Sequence, residues 1–309
     1  MNARALGRLT GLALLGCITG AAGSAHAFCR ATTIEGKQDS CFVCEDDGYP
    51  LAWPIPDIEY TFNERGFPGF TDSELQGIFT QAIDQWQAVT CEGEPLEINV
   101  QPASDSTDLG PRDAGVEPKV NVMGYLTADE WDLEEFDHRA FAQTGVRYYK
   151  DSGVIAGADI WFNGGIGEFG VCPARGCLGD DSIVDLPNVV THELGHFYGL
   201  AHSHIDGATM ACDALPGQTD KRSLAADDRR GMCAIYPPEL AFRGPYKQGE
   251  WTEPKDDDSC SVAAPGAARE GQARSQRVGP RASKTWWLGV ACGALLWRRR
   301  RQLFGRGSS

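Results

Sequence analysis

The spacing of apolar and polar positions changes several times along the chain, and each change marks an element. "DIEYTFN" (57–63) alternates with period two, as a half-buried strand does. In "TDSELQGIFTQAIDQWQAVT" the residues Leu75, Ile78, Phe79, Ala82, Ile83 and Trp86 recur at helical spacing. Thr71 and Glu74 make a capping-box pair ahead of them, so a long amphipathic helix is predicted, ending near Cys91. "LEINVQP" (96–102) and "KVNVMGYL" (119–126) read as strands with a polar loop between them. Residues 140–165 read as two more strands, joined by a turn at Asp151-Ser152-Gly153. After a Gly-rich loop, a second helix is predicted to start near Asp185 to Pro187, and a third to cover roughly 225–235. That order suggests one α/β domain over residues 28–237, with no internal repeats.

Both ends break this pattern. Arg4 and Arg8, an apolar run from Leu12 to Ile18 and Ala25-His26-Ala27 read as a signal peptide over 1–27, cleaved before Phe28. The run is short for a membrane span, which needs ~20 apolar residues. Leu14-Leu15-Gly16-Cys17 loosely resembles a lipoprotein box, but Leu15 suits it poorly. Residues 238–284 hold Pro, Gly and charge without an apolar period and read as a linker. Within 285–301, a short apolar run precedes the block Arg298–Arg301. As a helix its apolar part would rise about 20 Å, short for a ~30 Å bilayer core.

Charge then narrows the partners. Of 28 basic and 43 acidic residues, 2 and 0 lie in 1–27, and 10 and 1 lie from Cys260 onward, which leaves residues 28–259 at net −26. Such a body does not bind nucleic acid or anionic lipid through its general field, so membrane contact is expected only through the C-terminal segment. Some carboxylates are candidates for calcium, although no EF-hand pattern is present. Export implies an oxidising compartment. Setting aside Cys17, Cys260 and Cys292, the eight remaining cysteines read as up to four disulfides. Cys172–Cys177 would close a short loop, and Cys212 is expected to pair with Cys233. The sequence gives no pairing for Cys29, Cys41, Cys44 and Cys91.

The chemistry concentrates in "VVTHELGHFYGLAHSH" (189–204). Four residues of helix turn through about 400°, so His192 and His196 share a face. A zinc hydrolase needs three neutral nitrogen ligands and one open position. Glu193, next to the first ligand, can reach a zinc-activated water as general base without itself being a ligand. His202 lies six residues beyond His196, about 240° away on a continued helix. It can join the same metal only if the helix ends between them, and Gly199 stands where that break is needed, because glycine accepts positive φ at no steric cost. His204 reads as a neighbouring or surface residue, and His138 has no evident partner.

The pattern His192-Glu193-x-x-His196-x-x-Gly199-x-x-His202 resembles the long zinc signature of metzincin metallopeptidases. Met210 in "GATMAC", Ser203 and "LAADDRRGMCAIYP" (224–237) are similar to the matrixin branch, and "GVIAGADIWFN" resembles the strand beneath its active site. The resemblance covers roughly 57–237. It implies an α+β zincin fold: a twisted, mostly parallel sheet with an antiparallel edge strand, two long helices and a C-terminal helix. It implies one catalytic zinc on His192, His196 and His202, Glu193 as base, and Gly199 and Met210 as structural residues. Three departures stand out. Ala211-Cys212-Asp213 replaces the proline and tyrosine expected after the methionine. Ala225 stands where a capping serine is usual, with Ser223 as a substitute. The roughly 30 residues before the first strand hold no cysteine-switch motif, so latency is expected to work differently, for instance through a free N-terminal thiol. The tail, with Cys260 after an acidic stretch, a spacer, an apolar run and an Arg cluster, resembles a myxobacterial C-terminal sorting signal. On that reading Cys260 is the processing point, and a plain anchor is the alternative.

The expectation is an exported zinc endopeptidase, secreted or attached to the outer surface, that acts on proteins or peptides. An extended substrate would align along the edge strand within 140–149. The alternative is a non-catalytic zinc-binding surface or adhesion module on the same fold. Retention of Glu193 opposes it, since binding zinc does not require that residue.

Overall fold

The computed structural model describes residues 28–34, 44, 47–114, 120–180, 182–238 and 260–263. All of them lie within one unit that ends at Arg269. The first elements are strand β1 (Asp57–Phe62), helix α1 (Asp72–Gln87), the short pair β2 (Thr90–Cys91) and β3 (Glu94–Pro95), strand β4 (Asn99–Pro102) and helix α2 (Pro111–Ala114). Next come β5 (Val122–Leu126), α3 (Ala128–Leu133), the long strands β6 (Ala140–Tyr148) and β7 (Ile155–Asn163), and the short strands β8 (Glu168–Gly170) and β9 (Ile183–Asp185). Helices α4 (Leu186–Phe197) and α5 (Ala226–Ile235) and strand β10 (Cys260–Ala263) complete the order. The signal-peptide reading (1–27) and the apolar C-terminal segment (285–301) lie outside the described residues. Among the described residues, no helix is long and apolar enough to cross a membrane.

Six strands form one sheet in the order β10-β6-β7-β5-β1-β4. The pairs β1–β4, β1–β5 and β5–β7 are parallel, while β6–β7 and β10–β6 are antiparallel. This is the mostly parallel sheet with an antiparallel edge that the sequence led us to expect. β7 is buried at all nine positions, because it has strands on both sides and layers on both faces. On one face α1 lies against the sheet through Phe79, which stacks on Tyr60 and meets Phe62 and Phe162 edge-on. α4 packs beside α1, and the Trp86 indole N–H donates to the Thr191 carbonyl at 2.9 Å. The opposite face carries a smaller cluster around Val122, Leu126, Trp131 and Trp161.

Three local outcomes differ from the sequence reading. α1 stops at Gln87, and the chain then forms the β2–β3 hairpin through Glu92 and Gly93, both at positive φ. α3 was not foreseen, although Thr127 and Glu130 form a complete capping box. The expected Cys212–Cys233 pair is wrong. α5 packs on β2, which brings Cys233 onto Cys91 with the Cα atoms 5.4 Å apart. This bridge spans 142 residues, and in the chain-entropy model closing such a loop is worth about 5 kcal/mol. Cys212 is disulfide-bonded as well, but not to Cys233. Cys29–Cys44 and Cys172–Cys177 are bridged. Three of the four N-terminal cysteines are therefore not free thiols, which removes them as candidates for a thiol latch.

Candidate active site

The site is built around α4 and the loop behind it. Asp185 caps the helix by accepting from the Asn188 N–H at 3.0 Å, with Pro187 in the first turn. Arg222 donates to the same carboxylate, so the cap is tied to the chain before α5. Every residue from Asn188 to Phe197 is buried, so a charged group in this helix must have a partner. The helix ends at Phe197, and Gly199 takes φ +98°. A Cβ there would also lie 2.3 Å from the Leu51 carbonyl oxygen. Glycine is thus required both for the left-handed turn and for the close approach of the N-terminal segment, whose Ala31 N–H donates to the Gly199 carbonyl.

The turn brings His202 back to the helix. His192 Nε2 lies 3.1 Å from His196 Nε2 and 3.3 Å from His202 Nε2. The ligand atoms of all three lie within 4.8 Å of one another, and all three rings are buried. Two nitrogens bound at 2.0–2.1 Å to a tetrahedral zinc are separated by about 3.3 Å. The tautomers fit as well. His192 Nδ1 lies 2.6 Å from the Thr209 carbonyl and His196 Nδ1 2.8 Å from the Leu200 carbonyl. A ring nitrogen can bond to a carbonyl only as a donor, so each Nδ1 carries the proton and each Nε2 presents a lone pair. Burial pushes His192 well below its ordinary value and His196 down to about 4. Both are therefore neutral at physiological pH, as ligation requires. Histidine nitrogens of this number, protonation and spacing fit a zinc ion.

The same burial sets a pH dependence. In the unfolded chain His196 takes a proton near pH 6.5, whereas folded it resists until about 4. Between those values the unfolded state holds more protons, so stability falls as the pH drops. For this group alone the slope is about 1.4 kcal/mol per pH unit. Thermal unfolding in excess chelator should show a midpoint that is highest above pH 6.5 and declines toward pH 4.5. A midpoint that is flat or rises on acidification would contradict the burial argument.

Glu193 is fully buried on the same helix. Its Oε2 accepts from the Thr144 hydroxyl of β6 at 2.5 Å, so the acid is held by the strand that runs beside the histidines. Met210 lies beneath them. A Cβ on Gly195 would fall 2.1 Å from its Sδ, so the glycine inside the histidine motif makes room for the methionine. Asp228 of α5 fixes that turn: its carboxylate accepts from the backbone N–H groups of Thr209 (2.9 Å), Met210 (3.0 Å) and Ala225 (2.7 Å). Asp227 accepts from the Ser203 hydroxyl at 2.5 Å. Ser223 does not replace the missing cap. Ala225 offers no side-chain acceptor, and Asp228 serves the start of α5 instead.

Beyond Met210, the Ala211-Cys212-Asp213 stretch forms one wall of a cavity of about 650 Å³, also lined by Ser203, His204 and Lys221. Lys221 is buried and donates to the Ala211 carbonyl. Burial lowers its ammonium to about 8. Its Nζ lies 3.5 Å from His192 Nδ1, whose proton is already given to Thr209, so this is a close approach rather than a hydrogen bond. His204 Nε2 lies 3.7 Å from the Cys29 sulfur, away from the other three histidines. His138 pairs with Asp132 at 3.0 Å on the surface. Thr144, Gly195, Lys221 and Asp228 were not singled out from the sequence. Gly195 lies within the histidine motif, Asp228 within the 224–237 motif and Thr144 within the 140–149 strand, but none of these patterns assigns them a role.

Comparison with known proteins agrees with this geometry. Residues 120–237 match the peptidase family model described as matrixin. Three proteins of Arabidopsis thaliana are similar over a longer stretch. Metalloendoproteinase 5-MMP is 28% identical over 195 residues, which cover 60% of this chain and 45% of that protein. Metalloendoproteinase 2-MMP is 24% identical over 221 residues, covering 69% and 50%. Metalloendoproteinase 1-MMP is 25% identical over 186 residues, covering 56% and 41%. The chain spans half or less of the length of these relatives. The similarities support a matrixin-like metzincin and, in general terms, a zinc metalloendopeptidase.

Proposed function

We propose that the protein is an exported zinc endopeptidase that hydrolyses peptide bonds of extracellular proteins, with Glu193 as general base. The observation that carries this reading is the convergence of three buried histidine side chains next to a buried carboxylate in the same motif. When bound, zinc supplies a Lewis acid and lowers the pKa of water. His192, His196 and His202 would hold it. Glu193 takes a proton from the attacking water and delivers it to the leaving amine, and the Thr144 hydroxyl keeps its carboxylate oriented. Met210 on Gly195, and Asp228 on the turn, keep the ligand rings from shifting. An extended substrate pairs along β6 through its backbone, with one side chain entering the cavity behind Ala211. Residues 1–27 direct export, and 285–301 act as a sorting signal or an anchor, with Cys260 as the processing point. Calcium is a second candidate ion, to be read from the metal content of the purified protein.

The full chain should carry one zinc and cleave casein. Chelation should abolish cleavage, and one equivalent of zinc should restore it. Zinc-loaded protein that leaves casein and a peptide library intact would instead indicate a binding module on the same fold.

A further inference from the structure

The residues 238–284 lack any apolar period, yet within them Cys260–Ala263 forms a strand that closes the sheet. Its place is specific. β10 runs antiparallel to β6, with Cys260 opposite Thr144, Ser261 opposite Gln143 and Ala263 opposite Ala140. It also lies alongside α4. Thr144 is the residue whose hydroxyl holds Glu193. Without β10, β6 would be the outer strand of the sheet and would present a row of backbone donors and acceptors, a template for any extended chain. That edge is the one along which a substrate would pair in the functional reading above, and on that reading this inference rests.

We propose that the outer edge of β6 is a peptide-docking edge whose resident occupant is this chain's own segment Cys260–Ala263, which competes with protein substrates and weakens their binding until the tail is displaced or cut. Residues 239–259, 21 in number, connect it to the end of the α5 region and reach up to about 70 Å when extended, so the distance can be covered within one chain. A tethered occupant competes at an effective concentration on the order of millimolar, well above that of a typical extracellular protein substrate. The pairing uses backbone groups, so it does not depend on the composition that hid the strand in the sequence.

The test uses the full chain carrying a recognition sequence for a site-specific protease within 245–250, zinc-loaded and assayed before and after cutting. Hydrogen exchange at the amides of 140–144 should lose protection on cutting, and the KM for casein should fall by about tenfold, equivalent to 1.4 kcal/mol of displaced competition. Ser261→Pro, which removes one backbone donor of the strand, should give a similar gain without cutting. A synthetic peptide spanning 256–266 should inhibit the cut enzyme competitively. Unchanged protection after cutting would overturn the proposal. So would equal KM and kcat in the parent, cut and Ser261→Pro forms, and in that case the endopeptidase reading survives. If neither form cleaves while zinc remains bound, the endopeptidase reading fails and the inhibitory role fails with it. Protection that rises with protein concentration would assign the strand to a second copy and overturn the intramolecular form.

Discussion

Glu193→Gln should lower casein hydrolysis by about 10²–10⁴-fold while leaving one zinc per chain. The side chain is fully buried and accepts from the Thr144 hydroxyl at 2.5 Å. Glutamine keeps the shape and can still accept from Thr144 through its amide oxygen, so the local packing is retained. What it loses is the capacity to take a proton. His192 and His196 gain or lose no bond, since their Nδ1 contacts run to the Thr209 and Leu200 carbonyls. The rate should therefore collapse through kcat, with KM nearly unchanged, because in the proposed mechanism this carboxylate moves a proton and does not align the substrate. Zinc content by mass spectrometry and the unfolding midpoint serve as controls. A variant that keeps more than a tenth of the parent rate would rule out Glu193 as the base, and loss of zinc would mean that the residue supports the site rather than the reaction.

The parts of this site that were legible in the sequence are those fixed by local geometry. The 400° turn between His192 and His196 follows from helical pitch, and the need for a break before His202 follows from the same arithmetic. Gly199 at φ +98° answers that need. The alternation of β1 and the apolar stripe of α1 were legible for the same reason: each is a periodic consequence of facing one core. What stayed hidden is set by tertiary contact. Cys233 finds Cys91 across 142 residues only because α5 lands on β2, and no spacing rule encodes that. Thr144 reads as an ordinary strand threonine until β6 is laid beside α4. Asp228 looks like a helix-start acid, and that is half of its role; its other two bonds reach the Met210 turn. β10 leaves no mark in the sequence because strand addition draws on backbone groups, and the side chains of this segment carry no period. Gly195 differs from these, since in a helix it would be read as a mild destabilising choice. Its reason appears only when the Met210 sulfur is found where a Cβ would be.

Arg147→Met should lower folding stability by about 3–5 kcal/mol, and Arg147→Met combined with Asp159→Leu should recover most of that loss. Arg147 on β6 and Asp159 on β7 form an ion pair whose side chains are 1% and 5% exposed. The pair is built into the sheet. Asp159 also accepts from the Val122 N–H at 2.7 Å, and Arg147 donates to the Val120 carbonyl at 2.8 Å, so the two charges pin the start of β5. Gly157 lies opposite Arg147 because a Cβ would fall 2.2 Å from its Nη2. Burial pushes the Asp159 carboxyl above its ordinary value, and the guanidinium pulls against that shift. Removing Arg147 alone leaves a carboxylate in an apolar setting with one backbone donor, which must either protonate or draw in water. Removing both charges leaves a smaller deficit, limited to the Val120 carbonyl and the Val122 N–H. Urea unfolding of the three proteins, each saturated with zinc, measures the difference. A single variant that costs less than about 1 kcal/mol, or a double variant as unstable as the single one, would show that the pair is not what holds β6 and β7 to β5. The result bears on catalysis as well, because β6 is the strand that carries Thr144 to Glu193. If the pair sets the register of β6, Arg147→Met should also lower kcat at temperatures where the protein is still fully folded, and the double variant should regain it.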